Sequence, residues 1–238
     1  MTRSIRERVA GFVIGLSAAL LVIALAILPF LTPAWVSFEQ GRTNAAALTG
    51  YTTAELGTAT DAILHDLVIG PPDFTVQVNG SPVLEERERS HMRDVRGVFA
   101  EFYGLAILAA IPLVALVVRA YRAGRPAAAW HAVGAGTRWL IVGVVVAGVI
   151  VTFFFDQAFE LFHELFFPSG SYTFDPLTDR LVQLFPFDFW SETTIVLGGA
   201  IIVLAAIVWF VARRLARPAA NAAEAVSAQR LPSTERAG

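Results

Sequence analysis

Four long stretches of this chain are nearly free of charge, and each has the length a helix needs to cross a bilayer. They run over about residues 9–32, 98–118, 139–155 and 193–211, and Glu101 is the only charged residue inside any of them. A hydrocarbon core about 30 Å thick takes roughly 20 apolar residues in helical form, so the chain is read as a four-span integral membrane protein. Composition agrees: 55% of the 238 residues are hydrophobic, 16% are charged and the mean hydropathy is +0.60, against about 25% charged in soluble domains. Arg3, Arg6 and Arg8 ahead of the first span resemble the start of a signal peptide. Its apolar run exceeds the roughly 7–15 residues of a signal core, and residues 29–36 offer no small-x-small cleavage site, so the span is expected to be retained.

The basic residues orient the spans. All eighteen are arginine, and they gather before the first span, between the second and third (Arg119, Arg122, Arg125, Arg138) and after the fourth (Arg213, Arg214, Arg217). The positive-inside rule places these segments in the cytoplasm, giving N-in/C-in topology. Residues 33–97 and 156–192 then lie outside; the first loop carries Arg87, Arg89, Arg93 and Arg96 but is long, and long loops translocate largely regardless of charge. Residues 1–217 read as one membrane domain, and the alanine-rich stretch 218–238 as a disordered cytoplasmic tail. A net charge of −2 excludes a nucleic-acid footprint. With no cysteine and no lysine there is no disulfide, thiolate ligand, cysteine nucleophile or Schiff base.

Loop one has the signals of a small α+β cap. Thr52 and Glu55 form a capping box that opens an amphipathic helix with Leu56, Ile63, Leu64 and Leu67 on one side, stopped at Gly70-Pro71-Pro72. Asn79-Gly80 between residues 74–78 and 81–84 predicts a β-hairpin, with Pro82 marking an edge unpaired on one side. The third helix is expected to continue without interruption from Thr137 to Phe167, until Pro168-Ser169-Gly170 stops it. Asp175-Pro176 is expected to start a short helix with Leu177, Leu181, Val182 and Leu184 on its apolar side. Phe185, Phe187, Phe189 and Trp190 then suit the headgroup level.

Histidine and carboxylates recur at helical spacing in two places. His91, Asp94 and Glu101 fall on one face of the second helix, and Asp156, Glu160 and His163 on one face of the third. Both stripes lie at the outer ends of their helices, so antiparallel packing lets them face each other. Glu101 and Asp156 stand near the ends of apolar spans, where a carboxylate is costly unless it meets protein or water. The helix dipole favours a neutral ring at His91 and a protonated one at His163, a base and an acid for proton transfer. Two other readings stay open. The stripes are solvated helix ends, or His91 with Asp94 and His163 with Glu160 hold zinc or manganese. His65 and His131 are read as solvent-facing.

The segment Glu88-Arg89-Ser90-His91-Met92-Arg93-Asp94-Val95 resembles the "HMxDV" motif of a bacterial integral membrane family that includes lipoprotein intramolecular transacylases. Phe162 to Phe167, followed by Phe174-Asp175-Pro176, Asp179 and Leu184-Phe185-Pro186, resembles that family's second signature, and the likeness runs from the first span to the fourth. The resemblance implies a reaction at the outer face of the bacterial plasma membrane. The sn-2 acyl chain of a diacylglyceryl-cysteine lipoprotein moves to the cysteine's own α-amino group, without a cofactor or metal. His91 and His163 match the family's histidines, and Asp94 lies in the motif as an orienter. Glu101, Asp156 and Glu160 rest on helical geometry alone. The alternatives are a non-catalytic membrane factor that binds a partner through its outer cap, and a metal-dependent membrane enzyme.

Overall fold

In the computed structural model, which describes residues 4–229, α1 (Ile5–Ile27) runs into a 3-10 turn at Leu28–Leu31 and is followed by α2 (Pro33–Arg42), α3 (Ala45–Thr49) and α4 (Thr53–Val68). A hairpin of β1 (Gln77–Val78) and β2 (Ser81–Pro82) precedes α5 (Glu86–Arg122) and α6 (Pro126–Phe153). Then come α7 (Phe155–Phe166), α8 (Arg180–Leu184) and α9 (Phe187–Gln229). Among the described residues, four helices are long and apolar enough to cross a membrane: α1 with its 3-10 turn, α5, α6 and the Phe187–Arg217 part of α9.

The capping box forms as expected. Thr52 accepts the Glu55 amide, and the Glu55 carboxylate accepts the Thr52 amide at 2.7 Å. Asn79 and Gly80 take φ of 55° and 77°, the left-handed pair that a two-residue hairpin turn requires. The strands are shorter than the alternating pattern suggests, with Gln77 opposite Pro82 and Val78 opposite Ser81. Thr32-Pro33 is an N-cap and N1 pair that opens α2, with the Thr32 hydroxyl accepting from the Trp35 amide.

Three expectations are corrected. The third helix is not continuous to Phe167. Phe154 leaves helical geometry at φ −136° and ψ 41°, and α7 restarts after it. The residues before the break, Val149-Ile150-Val151-Thr152-Phe153, are β-branched or aromatic and among the weaker helix formers. The short helix does not begin at Asp175-Pro176 either. The Asp175 carboxylate caps a turn by accepting the Leu177 amide at 2.9 Å, and α8 starts only at Arg180, with Asp179 in the N-cap position. Leu177 is accordingly exposed while Leu181 and Leu184 are buried. Finally, the backbone of α9 stays helical to Gln229, as an alanine-rich stretch favours. The disordered tail expected from Pro218 thus meets helix over its first part, and residues 230–238 lie outside the described residues.

The chain divides into two compact units. The first takes in residues up to Ile23, Ala106–Gly143 and the chain from Ile201. Small residues dominate its packing: Ile14, Ala18, Ala129, Val133 and Ala212 are buried together. Gly15 of α1 and Gly136 of α6 meet backbone to backbone, and a Cβ on Gly136 would overlap the Gly15 carbonyl. The second unit takes in Ala24–Leu105 and Val144–Ala200. Its core resembles that of a soluble domain: Val36, Ile63, Phe74, Leu84, Met92, Leu184 and Phe189 pack in one cluster. Gln40 is buried among them, donating to the Leu184 carbonyl at 3.1 Å and accepting from the Thr60 hydroxyl at 3.0 Å.

Candidate active site

The first turns of α5 are fastened to the segment 173–181 by two carboxylates that the helical pattern does not single out. Glu88, 1% exposed, accepts the Glu85 amide at 2.7 Å and the Leu181 amide at 2.6 Å. Asp179 accepts from Arg87 at 2.6 Å and from the Asp175 amide at 2.7 Å. Arg87 also donates to the Thr173 carbonyl at 3.0 Å and lies 5.0 Å over the Phe174 ring. These bonds hold Phe174 against His91, the two rings 5.4 Å apart.

His91, one turn after Glu88, is 6% exposed, and its Nδ1 has no hydrogen-bond partner. Glu86, Arg87, Glu88, Arg89, Arg93, Asp94 and Arg96 crowd this part of α5, so the charge-poor spanning run begins only after Arg96 and His91 lies outside it. Burial, and secondly the neighbouring His163, pushes the His91 pKa down to about 4. The ring is therefore neutral near pH 7.

His163 comes from α7. Its ring stacks on His91 with 6.0 Å between centroids and 19° between planes. Its Nδ1 lies 2.7 Å from the Phe159 carbonyl. A carbonyl oxygen only accepts, so Nδ1 carries the hydrogen and Nε2 is the nitrogen left for another partner. Aromatic rings enclose the pair: Phe167 lies 4.8 Å from His91, and Phe159 and Tyr172 lie 4.2 Å and 5.1 Å from His163. The break at Phe154 leaves α7 as a separate helix, and His163 near its end takes its place in this aromatic group.

The two histidines of the stripes thus come together, and the four carboxylates do not join them. Asp94 is half-buried, while Glu101, Asp156 and Glu160 are exposed, and none is hydrogen-bonded to either ring. Among the described residues no three His, Asp or Glu side chains gather closely enough to hold a metal ion. His65 is exposed beside Asp66, and His131 is exposed as well. Glu88 escaped the sequence reading because its partner, the Leu181 amide, is remote in the chain. Asp179 stood within the second signature, but nothing local marks it as the mate of Arg87.

A sequence model described as "Lipoprotein intramolecular transacylase Lit" matches residues 12–190. The chain belongs to the Lit family. A structure of the membrane integral lipoprotein intramolecular transacylase Lit from Bacillus cereus superposes with a TM-score of 0.74 at 19% identity, covering 90% of this chain and 97% of that one. A histidine-substituted variant of that protein, carrying arginine in its place, superposes with a TM-score of 0.71 at 18% identity over 90% of this chain and 93% of its own. At these identities the likeness speaks for a common Lit fold. An uncharacterized protein of Aquifex aeolicus (strain VF5) is 28% identical over 120 residues, 49% of this chain and 50% of that protein. The match therefore spans about half the length of that curated relative. Membership in Lit makes the chain a membrane-integral enzyme of a family named for lipoprotein transacylation.

Proposed function

We propose that this protein transfers an O-linked acyl chain of a diacylglyceryl-cysteine lipoprotein to the α-amino group of that cysteine, using His91 and His163 for proton transfer. The observation that carries the reading is the stacked histidine pair with unspent ring nitrogens, Nδ1 of His91 and Nε2 of His163. A buried polar atom without a partner in a native fold calls for one, and a substrate group satisfies it.

The substrate amine is the nucleophile, so the chain needs none of its own. Neutral His91 takes a proton from the attacking amine, and His163 gives one to the glycerol oxygen as it leaves. Because His91 resists the charged state, it does not hold that proton long. The aromatic enclosure excludes water, which limits hydrolysis of the ester in place of transfer. Asp94, Glu101, Asp156 and Glu160 make no hydrogen bond to either ring, so no proton-transfer step is assigned to them. The site faces outward from the bacterial plasma membrane, with both chain ends in the cytoplasm.

Mass spectrometry of lipoprotein N-termini from cells with and without the gene tests the activity. The N-acyl lyso form is expected only with the gene, and its absence in every host would sink the reading. Single cysteines replacing Asn79 and Ser171 are expected to react with a membrane-impermeant thiol reagent in intact cells, and one replacing Ala123 is not. The reverse pattern would put the histidines on the wrong face.

A further inference from the structure

We propose that the phenol of Tyr172 donates the hydrogen bond that stabilises the oxyanion formed when the substrate amine attacks the ester carbonyl between His91 and His163. The inference rests on the acyl-transfer reading and supplies the electrostatic component that the histidines leave out.

The reaction requires such a group. The C–N bond forms as the amine attacks, and the carbonyl π pair moves onto oxygen. Collapse of that intermediate breaks the bond from carbon to the glycerol oxygen. The proton that leaves nitrogen is balanced by the one that arrives on the glycerol oxygen, giving an amide and an alcohol. Both histidines are occupied by these protons, so the oxyanion needs a third partner.

Tyr172 is the ring neighbour of the pair that carries a hydroxyl. The other rings in contact with His91 and His163 are Phe159, Phe162, Phe167 and Phe174. Arg87, the cation over the Phe174 ring, is already spent on the Thr173 carbonyl and Asp179. No hydrogen bond is made by the Tyr172 hydroxyl among the described residues, whereas the Tyr121 hydroxyl, for example, accepts from Trp130 at 2.9 Å.

The residue is also held in advance on both sides. Gly170 takes φ +81° in the turn after α7, and Ser171 closes it by donating its amide to the Pro168 carbonyl at 3.1 Å. Thr173 on the other side is fixed by Arg87. A donor fixed before the reaction needs no reorganisation when charge develops. Partial burial, then Glu160 and Glu164, keeps the phenol above its ordinary value, so it retains its proton at neutral pH. This gives Glu160 a place in the site through Tyr172 rather than through His163.

The test is Tyr172→Phe in the full-length protein, assayed by conversion of diacylated lipoprotein to the N-acyl lyso form. The phenyl ring keeps the contact with His163, so thermal midpoint and KM are expected to stay near wild type while kcat falls about 10²–10³-fold. Site-specific fluorotyrosine at the same position makes the phenol a stronger donor, and kcat is expected to rise with its acidity at pH values where it remains protonated. A packing role leaves that series flat. Wild-type kcat in Tyr172→Phe, with His163→Ala inactive in the same assay, would overturn this inference and leave the acyl-transfer reading standing. A flat fluorotyrosine series would overturn it too, and no conversion by the wild type would remove both.

Discussion

The two units of this protein are held together by different physics. In the first, the helices meet through glycine and alanine. Among its described residues, the side-chain hydrogen bonds of Arg125 to Glu7 and of Trp130 to Tyr121 are at exposed positions. In the second, long-range hydrogen bonds accepted by Glu88 and Asp179 and donated by Gln40 accompany a core of large apolar residues. Where lipid is the solvent there is little hydrophobic gain in bringing apolar helices together, so close backbone approach takes over. Where water is the solvent, apolar burial drives packing and buried polar groups fix its register. The stacked histidine pair lies in the second unit, where directional bonds position a neutral buried ring and the aromatic side chains around it.

The largest effect is expected at the histidines. His91→Ala and His163→Ala should each lower conversion about 10²–10⁴-fold with membrane insertion intact. The double variant should be scarcely worse than the worse single one, since the pair acts as a unit. His65→Ala and His131→Ala should convert normally. Normal conversion by both site variants would divorce the second unit's architecture from the reaction.

Glu88→Ala comes next. It strands the Leu181 and Glu85 amides, each at about 1–3 kcal/mol, and frees the segment that carries Phe174. Denaturation of the detergent-solubilised protein should show the loss in the second unit, together with reduced conversion. Gly136→Ala probes the first unit. A methyl group against the Gly15 backbone should cost about 1–3 kcal/mol, with the kcat of the protein that still folds unchanged. If Gly136→Ala were silent in stability and Glu88→Ala harmful, the backbone contact would not be what holds the first unit.

A pH series sharpens the contrast. The folded state holds His91 neutral down to about pH 4, while the unfolded chain protonates it near the ordinary value. Between those values the unfolded state binds more protons, so stability rises with pH across that window and is level above it with respect to this group. His91→Gln should flatten the slope. A slope that became more positive on this substitution would mean that the fold favours the charged ring. The smallest effect belongs to Glu192→Gln, which removes a 2.7 Å pair with Arg42 between exposed side chains and leaves Arg42 beside the buried Glu39; it should change stability by no more than about 1 kcal/mol.

Local signals read well from the sequence, and each has a local cause. The Thr52 and Glu55 cap, the Asn79-Gly80 turn and the apolar runs depend on residues within a few positions of each other. The two histidines were visible as members of helical stripes, although their carboxylate companions do not bond with them. The break at Phe154 was not legible, since nothing there is a proline or glycine and the helical period continues across it. The shift of the short helix from Asp175 to Arg180 was hidden as well, because Asp179 is drawn to Arg87 and the Leu181 amide to Glu88.

By itself, then, the sequence determined that the chain crosses a membrane and which residue types stand ready for proton transfer. Hydrophobic length and helical period are properties of contiguous residues, and they act before any tertiary contact forms. Only the tertiary structure decided that His91 is buried and neutral, that His163 stacks on it, and that Tyr172 borders the pair. Burial and ring contact arise between residues far apart in the chain, and no local pattern specifies which surroundings a given histidine will meet.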